Sequence, residues 1–385
     1  MNNLIFRRIS MIERYYKNLS NYIKQNHVLI IFGPRQVGKT TLLKSFLSQT
    51  TLKYKLDSGD NIRTQNLLGS QDFDKILEYA QGYNLIAIDE AQQIPNIGMA
   101  LKILVDNVPG LSIIATGSSS FDLSQSIGEP LTGRKSTLTL YPIAQLELSN
   151  MYNKYELREK LEDFLIFGGY PAVVSAQARQ EKISILTELV DSYLLRDVLS
   201  MERIKKSETL LNLVKLLAFQ VGQLVSHNEL ATQLCVDAKT VARYLDLLEK
   251  SFVIHKLGAL SNNPRNEVTG KQKYYFLDLG VRNAVIAQFN PLNLRNDVGQ
   301  LWENFAFIER LKNTTYKGFY GKRYFWRTYQ GQEVDFIEEI ELERTAFEVK
   351  WSAKKKVSAP SDWLENYPQA SFIVITPDNY LEYLT

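Results

Sequence analysis

The run Val28-Leu29-Ile30-Ile31-Phe32, followed at once by Gly33-Pro34-Arg35-Gln36-Val37-Gly38-Lys39-Thr40-Thr41, constrains this chain more than any other stretch. Five apolar residues have the length of a buried strand, and the nine that follow fit G-x-x-x-x-G-K-[ST] without a mismatch. Two glycines let such a loop fold around an anion with its backbone N–H groups turned inward. The helix-forming residues 41–48 then present a helix N-terminus to the same point. The ligand this pattern implies is a nucleoside triphosphate with Mg²⁺, and ATP is the one expected. Lys39 is expected to reach the β- and γ-phosphates and Thr40 to hold the metal, with all of residues 33–41 lining the site.

Four more short apolar runs, at residues 54–57, 85–89, 111–116 and 137–140, alternate with helical patterns, which predicts a parallel α/β sheet. The run Leu85-Ile86-Ala87-Ile88 ends in Asp89-Glu90, at the strand edge where open α/β sheets bind ligands. Asp89 suits the metal shell, and Glu90 suits a general base acting on the attacking water. After the next run, Thr116-Gly117-Ser118-Ser119-Ser120 puts hydroxyls beside the same edge, with Ser118 as first candidate sensor of the γ-phosphate and Thr116 as second. A helix-capping turn is the competing reading. Arg134, in Leu131-Thr132-Gly133-Arg134, is a candidate for donation to a neighbouring subunit's nucleotide, against the reading of a plain surface arginine.

These segments carry a resemblance. GPRQVGKTT, Ile88-Asp89-Glu90-Ala91-Gln92-Gln93-Ile94-Pro95, TGSSS and LTGR are similar to the prokaryotic AAA+ ATPases in which an ATPase core precedes a C-terminal domain of unknown function. Phe167-Gly168-Gly169-Tyr170-Pro171 and Tyr193-Leu194-Leu195-Arg196-Asp197 resemble that family's later signatures. The resemblance implies an additional-strand ATPase fold, homo-oligomeric rings with hexamers among the arrangements, and a nucleotide site shared between subunits. Gly168-Gly169 and Pro171 read either as a lid near the nucleotide or as backbone punctuation.

At 385 residues the chain exceeds one hydrophobic core. The expected division is a P-loop AAA+ core at 1–150, a helical lid-like region at 151–205, a winged helix at 206–278 and a nuclease-like α/β domain at 279–385. Composition is ordinary: 45% hydrophobic, 23% charged, net charge +3. No run is long enough to span a bilayer and the first residues lack a signal-peptide core, so a cytoplasmic protein without membrane contact is expected. One cysteine, Cys235, reads as a small buried side chain, and three scattered histidines argue against a zinc site.

Around residue 230 the pattern changes. Ser226 stands three residues before Glu229, a capping-box spacing, and residues 238–250 carry Val241, Leu245 and Leu248 on one helical face. Two helices across so short a turn predict a helix-turn-helix, with Lys239, Thr240, Arg243 and Tyr244 at the exposed start of a recognition helix. Residues 252–257 and 273–277 read as strands flanking a basic wing, with Arg265, Lys271 and Lys273 as DNA phosphate contacts. Winged helices also serve as protein contacts, which keeps a protein partner open.

The last hundred residues hold a second constellation: Glu303 within Leu301-Trp302-Glu303-Asn304-Phe305, then Glu333-Val334-Asp335, then Glu348-Val349-Lys350. Glu348 and Lys350 are two apart on a predicted strand and share a face, with Asp335 on its neighbour. Glu303, Asp335 and Glu348 are candidate metal ligands, and Lys350 would orient water or stabilise charge. The order resembles the PD-(D/E)XK nuclease fold, although Val334 stands where that fold's first motif has proline. Active cleavage and an inactive fold used for grip or ring assembly both stay open, and Lys354-Lys355-Lys356 reads as a phosphate contact or a solvated loop. The function expected is a DNA-associated AAA+ ATPase that engages or remodels DNA, with metal-dependent nuclease activity left open, and the rival is a nucleotide-gated switch for a protein partner with an inactive nuclease-like domain.

Overall fold

The computed structural model describes residues 12–118, 131–192, 207–261, 271–352 and 357–385. Two units emerge, one of Glu13–Tyr141 with Lys250–Phe252, the other of Pro142–Glu249 and Val253–Thr385. Ser119, Ser120, Arg265, the lysines at 354–356 and the motif at 193–197 lie outside the described residues.

The first unit is built on β1 (His27–Phe32), β2 (Tyr54–Ser58), β3 (Leu85–Asp89), β4 (Ser112–Gly117) and β5 (Lys135–Thr139), in the order β2-β3-β4-β1-β5. All pairings are parallel. The expected parallel α/β sheet is therefore present, and its central strands read as unbroken apolar runs because both faces are covered. Val28, Ile30, Ile86, Ile88, Ile113 and Ala115 share one buried cluster with Ile97, Leu101 and Leu104 of helix Ile97–Asn107. Parallel pairing brings every strand's C-terminal end to one edge. There the phosphate loop leaves β1, Asp89 ends β3 and Thr116 nears the end of β4.

The second unit holds a mixed sheet of β6 (Leu224–Val225), β7 (Ile254–Ala259), β8 (Gln272–Phe276), β9 (Lys322–Arg327), β10 (Glu333–Ile340), β11 (Glu343–Val349) and β12 (Ser371–Ile375), ordered β12-β11-β10-β9-β7-β8-β6. Parallel pairing of β7 with β9 carries this one sheet across residue 278. Helices Ser207–Phe219, His227–Leu234 and Ala238–Lys250 precede β7, and the long helix Val298–Tyr316 precedes β9. Phe336 and Phe347 are register partners on β10 and β11 and stack at 4.6 Å, with Phe307 of the long helix 5.4 Å from Phe336. The register of β10 against β9 shifts between Val334 and Ile337, so that both join Trp326 and Trp363 in one cluster despite their odd spacing. Such a bulge re-aims the residues inside it, Asp335 among them.

Local backbone packing requires glycine at both positions of the Gly168-Gly169 pair. Gly168 has φ 71°, and a Cβ there would meet the Asp278 carboxylate at 2.1 Å. Gly169 donates its N–H to Asp278 Oδ2 at 2.7 Å and accepts from the N–H of Ile143 at 2.7 Å. Burial pushes the Asp278 carboxyl up from its ordinary range, against the hydrogen bonds it accepts.

Candidate active site

The loop between β1 and helix Lys39–Leu47 is shaped by its glycines. Gly33 (φ 154°) lies so close to the Leu140 carbonyl that a Cβ would meet its oxygen at 2.1 Å, and Gly38 (φ 97°) caps the helix in the left-handed region. Lys39 is 4% exposed, and its Nζ donates to the carbonyls of Gly33 (2.9 Å) and Pro34 (2.8 Å). The loop's own backbone thus holds the ammonium at the anion's seat.

The acidic pair closes the far side. Thr40 Oγ1 donates to Asp89 Oδ2 at 2.8 Å, while Thr116 Oγ1, fully buried, donates to Asp89 Oδ1 and accepts from the Glu90 N–H at 3.2 Å. Glu90 itself stands at φ 49°, a strained conformation for a residue with a side chain. Gln92 Nε2 donates to Glu90 Oε2 and to Ser118 Oγ, the latter at 3.1 Å. Of the two hydroxyls expected here, Thr116 reaches the Asp89 carboxylate and Ser118 reaches Glu90 through Gln92. Thr40 and Asp89 are adjacent hard-oxygen donors beside the phosphate loop, a donor set that fits Mg²⁺.

Two residues extend this picture. Arg14, far upstream, donates Nη1 to the Val37 carbonyl and Nη2 to the Tyr141 carbonyl at 2.6 Å, tying the phosphate loop to the segment after β5. No local pattern pointed to it; only a lone arginine ahead of an apolar strand was visible. Arg134 is 48% exposed and forms an ion pair with Asp106 of its own chain.

The second unit brings Glu303, Asp335, Glu348 and Lys350 to one open cavity of about 620 Å³, together with Gly222, Lys271, Arg327 and Glu333. Glu348 Oε1 pairs with Lys350, Asp335 Oδ2 accepts from the Val349 N–H at 2.7 Å, and Glu348 Oε2 is buried with no hydrogen-bond partner among the described residues. Burial pushes the carboxyls of Asp335 and Glu348 upward, and that of Glu303 up to about 7 against the pull of Lys273.

Several expected contacts are corrected. Lys273 is not a wing residue facing a phosphate backbone: β8 lies between β7 and β6, and Lys273 is 1% exposed. Its Nζ pairs with Glu333 at 2.6 Å and Glu303 at 3.1 Å. Tyr244 is buried on the face of Val241 and Leu248, and Cys235 is exposed, since it caps its helix at φ 52°. Lys239, Arg243 and Lys271 are exposed, while Thr240 donates both its N–H and its hydroxyl to Asp237 at 2.8 Å.

Comparison with known proteins gives three consecutive matches to family models. Residues 25–149 match an AAA domain, residues 158–293 a domain of unknown function (DUF8612), and residues 298–383 another (DUF4143). An uncharacterized protein of Mycobacterium tuberculosis is 28% identical over 334 residues, covering 86% of this chain and 72% of its own. One from Haemophilus influenzae is 27% identical over 365 residues, covering 88% and 86%. Among solved structures, a variant of Thermotoga maritima RuvB is 20% identical over 62% of this chain and 82% of its own, with a TM-score of 0.29, too loose a superposition to argue from. The AAA match and the five-stranded parallel sheet make the first unit a P-loop AAA+ ATPase-like, nucleotide-binding domain. No helix among the described residues is long and apolar enough to cross a membrane.

Proposed function

We propose that this chain hydrolyses ATP, with Lys39, Thr40, Asp89 and Glu90 as the residues that do so. The observation carrying this is the linked pair of contacts at the loop's mouth: Thr40 and Thr116 on Asp89, and Gln92 on Glu90. In this reading the loop amides and Lys39 take the β- and γ-phosphates, and Nζ exchanges the carbonyls of Gly33 and Pro34 for phosphate oxygens. Thr40 and Asp89 would hold Mg²⁺, which would supply positive charge beside the phosphates. Glu90 accepts the proton of the attacking water once the Gln92 amide lets its carboxylate turn. In an oligomeric ring, Arg134 would serve a neighbour's nucleotide after leaving Asp106.

The test pairs two variants. Lys39→Ala is expected to abolish binding of a fluorescent ATP analogue, and Glu90→Gln to retain binding while turnover drops by about 100-fold or more. Unchanged turnover in Glu90→Gln moves the base to another residue.

We further propose DNA as the partner of the second unit, supported by the exposed cations Lys239, Arg243 and Lys271. The ATPase rate is expected to rise with at least one of single-stranded, duplex or branched DNA. Flat rates with all three would favour a switch acting on a protein partner.

A further inference from the structure

We propose that Lys273 stands where a divalent cation would otherwise sit, so that the carboxylate cavity of the second unit carries a built-in ammonium and works without a bound metal. Four carboxylates line this cavity: Glu303 from helix Val298–Tyr316, Glu333 and Asp335 from β10, and Glu348 from β11. So many negative groups in one place require protons or a cation. Lys273 enters from β8, a fourth element, and its ammonium bridges Glu303 at 3.1 Å and Glu333 at 2.6 Å.

The surroundings are fitted to that pair. Tyr275, two residues along β8, donates its hydroxyl to the same Glu303 oxygen at 2.7 Å. Gly222 (φ 71°) closes over it so tightly that a Cβ would meet Glu303 Oε1 at 2.9 Å. With Asp335 bonded to Val349 and Glu348 to Lys350, each of the four spends an oxygen on a protein donor. Among the described residues, no three His, Cys, Asp or Glu side chains are arranged to hold a metal ion. A tethered ammonium supplies positive charge without an open coordination position, so it cannot produce a metal-bound hydroxide. It also joins β8 to the helix that carries Glu303 and to β10 of the same sheet.

The test uses the nucleotide-free full chain with Asp89→Asn, which removes the carboxylate of the other candidate metal site. Melting temperature and bound Mn²⁺, read by electron paramagnetic resonance, are compared in ~1 mM Mn²⁺ and in EDTA. The Lys273-containing protein is expected to melt alike in both and to hold no Mn²⁺ in this cavity. Lys273→Ala is expected to take up about one Mn²⁺ per chain, to melt higher with it, and to lose it again when Glu303→Gln and Glu333→Gln, the two carboxylates Lys273 bridges, are added. Two results overturn the proposal: Mn²⁺ bound by the Lys273 protein and lost on Asp335→Asn, or a Lys273→Ala protein, folded by circular dichroism, that binds none. Should Lys273→Ala fail to fold, Lys273→Met keeps the packed stem, and the Lys273 protein's own response to Mn²⁺ decides the matter.

Discussion

Thr116→Val removes one hydroxyl and almost no volume from the centre of the nucleotide site. That hydroxyl, buried at the end of β4, donates to the Asp89 carboxylate and accepts from the N–H of Glu90, whose backbone sits at φ 49°. A hydrogen bond to a charged group contributes about 1.5 to 3 kcal/mol. Since Asp89 keeps Thr40 as a second donor and is only half-buried, the lower part of that range applies. Read as lost transition-state stabilisation, about 1.5 to 2 kcal/mol corresponds to a fall of roughly 10- to 30-fold in kcat/KM for ATP. The Glu90 N–H, deprived of its acceptor, adds a stability loss of about 1 to 3 kcal/mol. Phosphate release followed over a range of ATP concentrations measures the first effect, and urea unfolding the second. Thr116→Ser keeps the hydroxyl and should restore most of the rate. A Thr116→Val enzyme at the parental rate, or a Thr116→Ser enzyme as slow as the valine variant, would refute the reasoning.

Arg14→Ala should weaken ATP binding by about 10-fold, because two carbonyls lose a charged donor that fixes the loop. Arg14→Lys should rescue poorly, since one ammonium cannot bridge both carbonyls as the guanidinium fork does, and equilibrium binding of a fluorescent ATP analogue reads both. Asp297 accepts from Arg282 at 2.7 Å and from Arg295 at 2.8 Å. Burial raises its carboxyl, but the two arginines prevail and hold it down to about 2. A depressed folded-state value means stability present above the unfolded pKa of about 4 and lost as pH falls through about 2, amounting to about 2 kcal/mol at most. Acid unfolding of Asp297→Asn should therefore start from lower stability and show a flatter fall over that window. A variant titrating like the parent would leave the acid sensitivity to other carboxylates.

Much of the first unit was legible because its information is local. Apolar runs 28–32 and 85–89 are strands on both faces, so no pairing partner is needed to recognise them, and the phosphate loop is contiguous. Asp89 and Glu90 were readable from their place at a strand's end. The choice between Thr116 and Ser118 was not, because it depends on which residue of β4 lies level with Asp89 across the β3–β4 pairing. In the second unit the order Glu303, Asp335, Glu348, Lys350 was visible, and these residues do line one cavity. Lys273 was misplaced because a lysine before Tyr-Tyr-Phe looks like a strand edge until β6 is known to pair on its far side. Tyr244 misled for the opposite reason: its helical spacing from Val241 and Leu248 was present, but its place beside Arg243 invited an exposed reading.

The sequence by itself determined that the chain carries a phosphate loop, an acidic strand end and a separate set of carboxylates, since each is written in residues that are neighbours along the backbone. Tertiary structure decided what stands between those groups: Arg14 against the phosphate loop, Thr116 beneath Asp89, and a buried ammonium among Glu303 and Glu333. The physical reason is that counter-charges and hydrogen-bond partners are selected by distance in space, and in this fold they come from segments up to more than a hundred residues away.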